Sequence, residues 1–223
     1  MMDFARARRN MIEGQLRPNG VTDRRVLGAL LEVPRERFVP AHRRSLAYSD
    51  EDLEVKAGEA GALPRFLMEP MAFGQLLVLA DIRSSDLVLD VGCTTGYSTA
   101  ILAHLADAVV GLESDDELAQ AAETALVDLG VANAAVVGGP LNQGYASQAP
   151  YDVMFVEGAC EEVPPALFEQ LRDGGRLVAV MQDGPVGKAT LFQSVEGTVS
   201  SRVAFNVSVR PLPGFQRPPA FVF

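Results

Sequence analysis

The chain has 223 residues, 48% of them hydrophobic, and a formal net charge of -10. That length and apolar content fit one compact unit with an extension, and they exclude a disordered chain. The acidic balance argues against nucleic acid as a partner, because phosphate binding rests on Lys and Arg, and no apolar run approaches the ~20 residues of a membrane span. The start, Met1-Met2-Asp3-Phe4-Ala5-Arg6, lacks the apolar core of a signal peptide, so a cytoplasmic protein is expected. Cys93 and Cys160 are the only cysteines, and no His or Cys cluster has metal-ligand spacing, so neither a disulfide framework nor a metal is expected. Charge is unevenly spread: residues 1–44 hold ten Arg against five acidic residues. A solvated helical face packed on an acidic body explains that distribution.

Residues 1–44 read as helical. Met11, Ile12 and Leu16 form part of an apolar stripe, Asn19-Gly20 breaks it, and Thr22 is the expected N-cap for a second helix carrying Val26, Leu27, Leu30 and Leu31. Pro34 ends that helix. Residues 45–66 lack a sustained period and contain Gly58, Gly61 and Pro64, which predicts a loop or short hairpin; a helix follows from about Pro70 to Ala80. From Leu87 the pattern alternates. Strands are expected at Leu87 to Val91, Val109 to Glu113, Ala134 to Val137, Val153 to Val156 and Arg176 to Met181, with helices at Tyr97 to Leu105, Glu117 to Leu129 and Pro164 to Arg172. Thr190 to Val195 and Val199 to Val209, around Glu196-Gly197, read as an antiparallel edge pair. The fold class is therefore α/β: a doubly wound, mostly parallel sheet with an antiparallel C-terminal edge hairpin. Residues 1–80 form an N-terminal helical cap, and residues 81–223 the core.

In such a sheet, ligands sit beyond the carboxyl ends of the strands where strand order reverses. The run Asp90-Val91-Gly92-Cys93-Thr94-Thr95-Gly96-Tyr97 falls there if the Leu87 strand is central. Gly92 permits the tight turn, and the free N–H groups at the start of the Tyr97 helix attract an anion. Glu113 follows Gly92 by twenty-one residues and ends the second strand, where a carboxylate can accept hydrogen bonds from both ribose hydroxyls. A dinucleotide fingerprint needs glycine at its first, third and sixth positions, which here are Gly92, Thr94 and Tyr97, so an NAD enzyme is disfavoured. Asp90, Gly92, Gly96 and Glu113 together instead look like the S-adenosylmethionine loop of Rossmann-like methyltransferases.

The whole chain resembles protein-L-isoaspartate O-methyltransferases. The resemblance is carried by Met11 to Leu16, by Val33-Pro34-Arg35-Glu36-Arg37-Phe38-Val39-Pro40, by Ala47-Tyr48-Ser49-Asp50, by Asp90-Val91-Gly92 with Gly96-Tyr97, and by Pro164 through Gln170-Leu171 to Gly174-Gly175-Arg176-Leu177-Val178. It implies methyl transfer from S-adenosylmethionine to the α-carboxylate of an isoaspartyl residue in a damaged protein, with a Rossmann-like fold. A carboxylate is already a competent nucleophile, so such an enzyme chiefly supplies position. The resemblance implies a cofactor site at Asp90, Gly92, Thr94, Gly96, Glu113 and Gly139, with Glu113 on the ribose, and an acceptor site at Phe66, Met68, Glu69 and Pro70. It assigns no catalytic residue and leaves the oligomeric state open.

The chain departs from the family pattern at these sites. Where the family has a threonine, an aliphatic residue, a serine, a glutamine and a proline, this chain has Phe66-Leu67-Met68-Glu69-Pro70, so two hydroxyl donors are replaced by apolar groups. Glu69 would repel an incoming carboxylate unless protonated or turned to solvent. Thr94 replaces the middle glycine of the cofactor loop, and Gly139 replaces the aspartate that reads the adenine amino group. Glu157 brings an acid to the pocket rim, where it reads either as a site for a cationic substrate group or as a solvated strand-end acid. His42 and His104 read as surface or packing residues. Two alternatives stay open beside the repair enzyme: a noncatalytic relative acting as a binding module, and a methyltransferase with another small acceptor.

Overall fold

A computed structural model describes residues 3–58 and 61–217. The chain opens with α1 (Phe4–Met11), which continues as a wide π turn through Leu16, and then α2 (Arg24–Glu32). Asp23, rather than the expected Thr22, caps α2: its carboxylate accepts from the backbone N–H of Arg25 and Val26. An acid serves there as well as a hydroxyl and also suits the positive end of the helix dipole. After α2 a hairpin of β1 (Leu53–Lys56) and β2 (Arg65–Leu67) forms an antiparallel pair within the segment expected to be loop or hairpin. Next comes α3 (Pro70–Ala80), with Pro70 in its first turn.

The core is a seven-stranded sheet formed by β3 (Leu87–Val91), β4 (Ala108–Glu113), β5 (Ala134–Gly138), β6 (Tyr151–Cys160), β7 (Leu171–Met181), β8 (Lys188–Val195) and β9 (Thr198–Asn206). Their spatial order is β5-β4-β3-β6-β7-β8-β9. The first five strands pair in parallel, while β8 and β9 pair antiparallel at one edge. Val88, Leu89, Val91 and Val153 to Val156 are buried on both faces, which is why these strands read as unbroken apolar runs rather than as alternation. Helices α4 (Tyr97–Ala103) and α5 (Asp116–Asp128) connect the strands on one wing. α5 starts on the Asp115 cap, buries Leu118, Ala122 and Leu126 at helical spacing, and stops before Gly130, whose φ is 70°.

The expected helix from Pro164 to Arg172 is much shorter: α6 spans only Pro165–Phe168. The backbone beyond it is claimed by the sheet, because Tyr151 N–H donates to the Gln170 carbonyl at 2.9 Å and Leu171 pairs with Tyr151. Among the described residues, no helix is long and apolar enough to cross a membrane.

A buried cation, Arg35, ties several N-terminal segments to one another and to α4. Arg35 is 1% exposed; its Nε donates to the Ala47 carbonyl and its Nη2 to the Met68 carbonyl, both at 2.7 Å, while the guanidinium lies 4.9 Å from the centre of the Tyr97 ring. It thus links the Pro34–Phe38 turn, the 66–70 segment and α4. Nearby, Thr95 Oγ1 donates to the Phe38 carbonyl at 2.6 Å, fastening the loop after β3 to the same turn. Arg35→Ala should lower stability by about 3 kcal/mol or more, since it orphans two buried carbonyls and leaves a void. Denaturant unfolding would measure the loss, and Arg35→Lys, with no planar fork, should recover only part of it.

Candidate functional site

The strand order changes direction between β3 and β6, and the residues expected to hold a cofactor gather at the carboxyl ends of the neighbouring strands. Asp90 lies in β3, Gly92, Thr94 and Gly96 in the loop that follows, Glu113 at the end of β4, and Gly139 just after β5. Gly139 N–H donates to the Glu113 carbonyl at 3.0 Å, and no carboxylate stands there. Gly96 packs against Ala122 of α5. The loop is held by backbone bonds of 2.8 and 3.2 Å from Gly92 and Cys93 N–H to the Leu112 carbonyl. Thr94 sits at φ 50°, a left-handed conformation that costs a β-branched residue of order 1–3 kcal/mol.

Asp90 does not face a ligand with its whole carboxylate. Its Oδ2 accepts the hydroxyls of Ser98 at 2.7 Å and Thr99 at 2.6 Å, fixing the start of α4, while its buried Oδ1 has no partner among the described residues. Burial pushes its pKa up to about 7. Cys93 is fully buried, and desolvation raises its thiol well above the usual range, so it stays protonated and unreactive.

Glu113 has no exposed surface and is saturated. Its two oxygens receive Arg65 Nη1 at 2.5 Å and Arg65 Nη2 at 2.8 Å, the N–H of Thr94 at 2.9 Å, that of Ser114 at 2.8 Å and that of Asp115 at 3.0 Å. A carboxylate offers about four lone-pair directions, so no acceptor capacity remains for two ribose hydroxyls. The loop glycine is covered too. A Cβ built on Gly92, whose φ is 87°, would meet Leu212 Cδ1 at 2.8 Å and Arg65 Nη2 at 3.4 Å. The cavity that reaches Arg65, with Lys56, Ala57, Ala62, Leu63 and Asp115, measures about 100 Å³, whereas pockets for cofactor-sized ligands start near 300 Å³. Larger cavities of about 690 and 450 Å³ lie elsewhere, on the outer faces of α1 with α2 and of α5. As arranged here, the residues do not accommodate a cofactor nucleoside.

The cover comes from the chain's C-terminal strap. Ala159 N–H donates to the Arg210 carbonyl at 2.8 Å, Leu212 N–H donates back to Ala159 at 2.9 Å, and Glu161 N–H reaches the Phe215 carbonyl at 3.0 Å. Gly158 lets this strap approach, since a Cβ there would stand 2.9 Å from Leu212 Cβ. Arg210 stacks 5.0 Å from the Phe66 ring centre, so the strap also covers the expected acceptor segment.

In that segment Phe66 is half-buried and Met68 is buried, its carbonyl taken by Arg35. Backbone N–H groups of Glu69 and Met71 donate to Asp52 and Asp50, each at 3.0 Å. Burial, then Asp52 and Asp50, push Glu69 up to about 7. Glu157 is not a solvated strand-end acid: it keeps partial exposure, but its Oε1 is buried without a partner among the described residues, and burial followed by Asp90 raises its pKa well above the usual value. His104 sits near Glu32 at 3.5 Å, away from this cleft.

Arg65 and the 210–216 strap line this cleft without a local sequence signal, whereas Arg35 lies in the Val33 to Pro40 run that carries the resemblance. Arg65 follows a Gly- and Pro-containing loop, and only the fold brings it to Glu113, 48 positions on. Its one hint was its place immediately before the run that lost its hydroxyls.

The comparisons with known proteins agree with this architecture. The model of the protein-L-isoaspartate(D-aspartate) O-methyltransferase family matches residues 6–213. The chain is 41% identical over 188 residues to a protein-L-isoaspartate O-methyltransferase of Koribacter versatilis, covering 84% of this chain and 80% of that one. It is 40% identical to a second such protein from Anaeromyxobacter, covering 86% and 75%. A solved protein-L-isoaspartate O-methyltransferase superposes with a TM-score of 0.81 at 25% identity, over 93% of this chain and 66% of that one. A putative Plasmodium falciparum member, solved with S-adenosyl-L-homocysteine, shares the fold at a TM-score of 0.75 and 17% identity, over 95% and 99%.

The raised Glu69 carries a pH signature. Because its folded pKa lies above its unfolded one, it favours the folded state below the unfolded value, and that contribution is lost as pH rises from about 4 through about 7. Glu69→Gln should therefore flatten the fall in stability across this window, read from thermal melts at pH 5 and pH 8; parallel curves for both proteins would contradict it.

Proposed function

Because the chain belongs to the protein-L-isoaspartate(D-aspartate) O-methyltransferase family, whose members use S-adenosylmethionine as methyl donor, we propose that it methylates the α-carboxylate of isoaspartyl residues in damaged proteins, as a cytoplasmic repair enzyme. The observation that carries this reading is the reach of the match, which runs through cap, acceptor segment and nucleotide loop together, from residue 6 to residue 213. We take residues 1–80 and 81–223 as cap and core of one compact unit, an assignment supported by Arg35 over the Tyr97 ring, by Arg65 on Glu113 and by Thr95 on Phe38. We assign the donor site to Asp90, Gly92, Thr94, Gly96, Glu113 and Gly139, and the acceptor site to Phe66, Met68, Glu69 and Pro70.

Within that reading the chain's own residues have definite tasks. Arg35 sets the depth of the 66–70 segment through the Met68 carbonyl. Asp50 and Asp52 hold the first turn of α3, and Glu69, half protonated near neutral pH, repels an incoming carboxylate least on the acid side of 7. A second reading, a binding module without catalysis or a methyltransferase for another acceptor, is favoured by the apolar Phe66 and Met68 where hydroxyl donors would serve a carboxylate.

Methyl transfer to an isoaspartyl peptide from radiolabelled S-adenosylmethionine tests the choice. Repair predicts label on that peptide and none on its normal aspartyl counterpart. Phe66→Thr with Met68→Ser should raise kcat/KM by about tenfold or more, the worth of one hydrogen bond to a charged group at roughly 1.5–3 kcal/mol. Silence on both peptides, before and after the exchange, would favour the second reading.

A further inference from the structure

We propose that Arg65 and the 210–216 strap are an internal occupant of the donor site, so that the resting chain is closed to S-adenosylmethionine and opens only when Arg65 leaves Glu113. This rests on the assignment of the Gly92 to Glu113 loop as the donor site.

The contacts of three residues, Arg65, Leu212 and Arg210, carry it. The guanidinium of Arg65 presents two parallel N–H groups to the two oxygens of Glu113, the same bidentate demand that a pair of ribose hydroxyls would make. Its Nη2 also lies 3.4 Å from the Gly92 carbonyl, so the side chain spans from the acid to the loop. Leu212 fills the remaining approach, resting against both Gly92 and Gly158 at the ends of β3 and β6, where strand order reverses. Arg210 then closes the acceptor side over Phe66 and reaches Asp52 at 3.6 Å.

The arrangement is a built contact and not a surface ion pair. Arg65 is 6% exposed and Glu113 fully buried, so water and salt screen the pair little. Neither partner can be left behind at low cost, because an uncompensated buried charge is unfavourable. Opening therefore needs a concerted movement of the β1–β2 hairpin, which carries Arg65, away from the core. In a closed-open equilibrium, the apparent dissociation constant of the cofactor is its intrinsic value divided by the open fraction, so closure lowers affinity without changing the loop itself.

The test is calorimetric titration with S-adenosylhomocysteine, which binds without turning over, on the full chain and two variants. Arg65→Ala leaves Glu113 its three backbone donors, and Leu212→Ala leaves every charge in place; thermal melts report that each is folded. The expected result is weak or no binding by the unaltered chain at millimolar ligand, a gain of about a hundredfold or more for Arg65→Ala, and a smaller gain for Leu212→Ala. Micromolar binding by the unaltered chain, with no gain in either folded variant, would overturn the proposal, and silence from all three proteins would overturn it as the cause of weak binding. The isoaspartyl assay separates this from the function itself. Tight binding and methylation by the unaltered chain would sink the internal occupant while leaving the repair activity, whereas binding gained by Arg65→Ala without methylation would support the occupant and sink repair.

Discussion

Three carboxylates converge on one cleft, and their burial is the constraint around which the protein is arranged. Asp90, Glu113 and Glu157 stand on the adjacent strands β3, β4 and β6, where water cannot solvate them fully. An isolated buried charge is too costly to keep, so each must be paired, hydrogen-bonded or protonated. The chain uses all three answers. Glu113 is paired with Arg65 and bonded to three backbone N–H groups. Asp90 takes two hydroxyls and sits near the middle of its titration at neutral pH, while Glu157 is pushed toward its protonated form. The two compensating cations, Arg35 and Arg65, both come from the cap. The core could not carry these acids unaided.

This makes the cap more than a lid on a finished domain. Arg35 orders residues 66–70, Arg65 neutralises Glu113 beside the 92–96 loop, and Thr95 fastens that loop back to the turn containing Arg35. Family membership and local chemistry then pull apart in an instructive way. The scaffold has the converging strand ends, the positive-φ Gly92 and the strand-end Glu113, while side chains from two other segments satisfy or cover them internally. A fold can thus be inherited whole while the state of its site is set by a few residues outside the motif.

Legibility in the sequence follows the range of the interactions. The parallel strands were readable because burial on both faces writes unbroken runs such as Leu87 to Val91 into the chain. Helix α5 was readable from its helical spacing and from Gly130 at its end. Helix α6 was overestimated because Gln170 and Leu171 are claimed by a partner strand twenty residues earlier, and periodicity carries no record of that competition. Glu113 could be located by its distance from Gly92, but its partner could not, since nothing in the neighbourhood of Arg65 marks it as buried. Of the two readings open for Glu157, the solvated one fails for the same reason: its surroundings are built by segments remote in sequence.

The strap's attachment has a consequence for how the cleft trades with the sheet. Residues 210–215 are held to Ala159 and Glu161 by main-chain hydrogen bonds, with Ala159 both donating to and accepting from the strap, and with a parallel bridge from Ala159 to Pro211. In hydrogen-bonding terms the strap is a fragmentary extra strand, grafted onto β6 at the point where that strand shifts register against β7. Main-chain bonding is indifferent to side-chain identity, so substitutions along the strap alter what fills the cleft far more readily than whether the strap is there. The backbone of Ala159 thus holds the strap in place whatever its sequence, and the side chains it presents, Leu212 above all, decide how much of the cleft is filled.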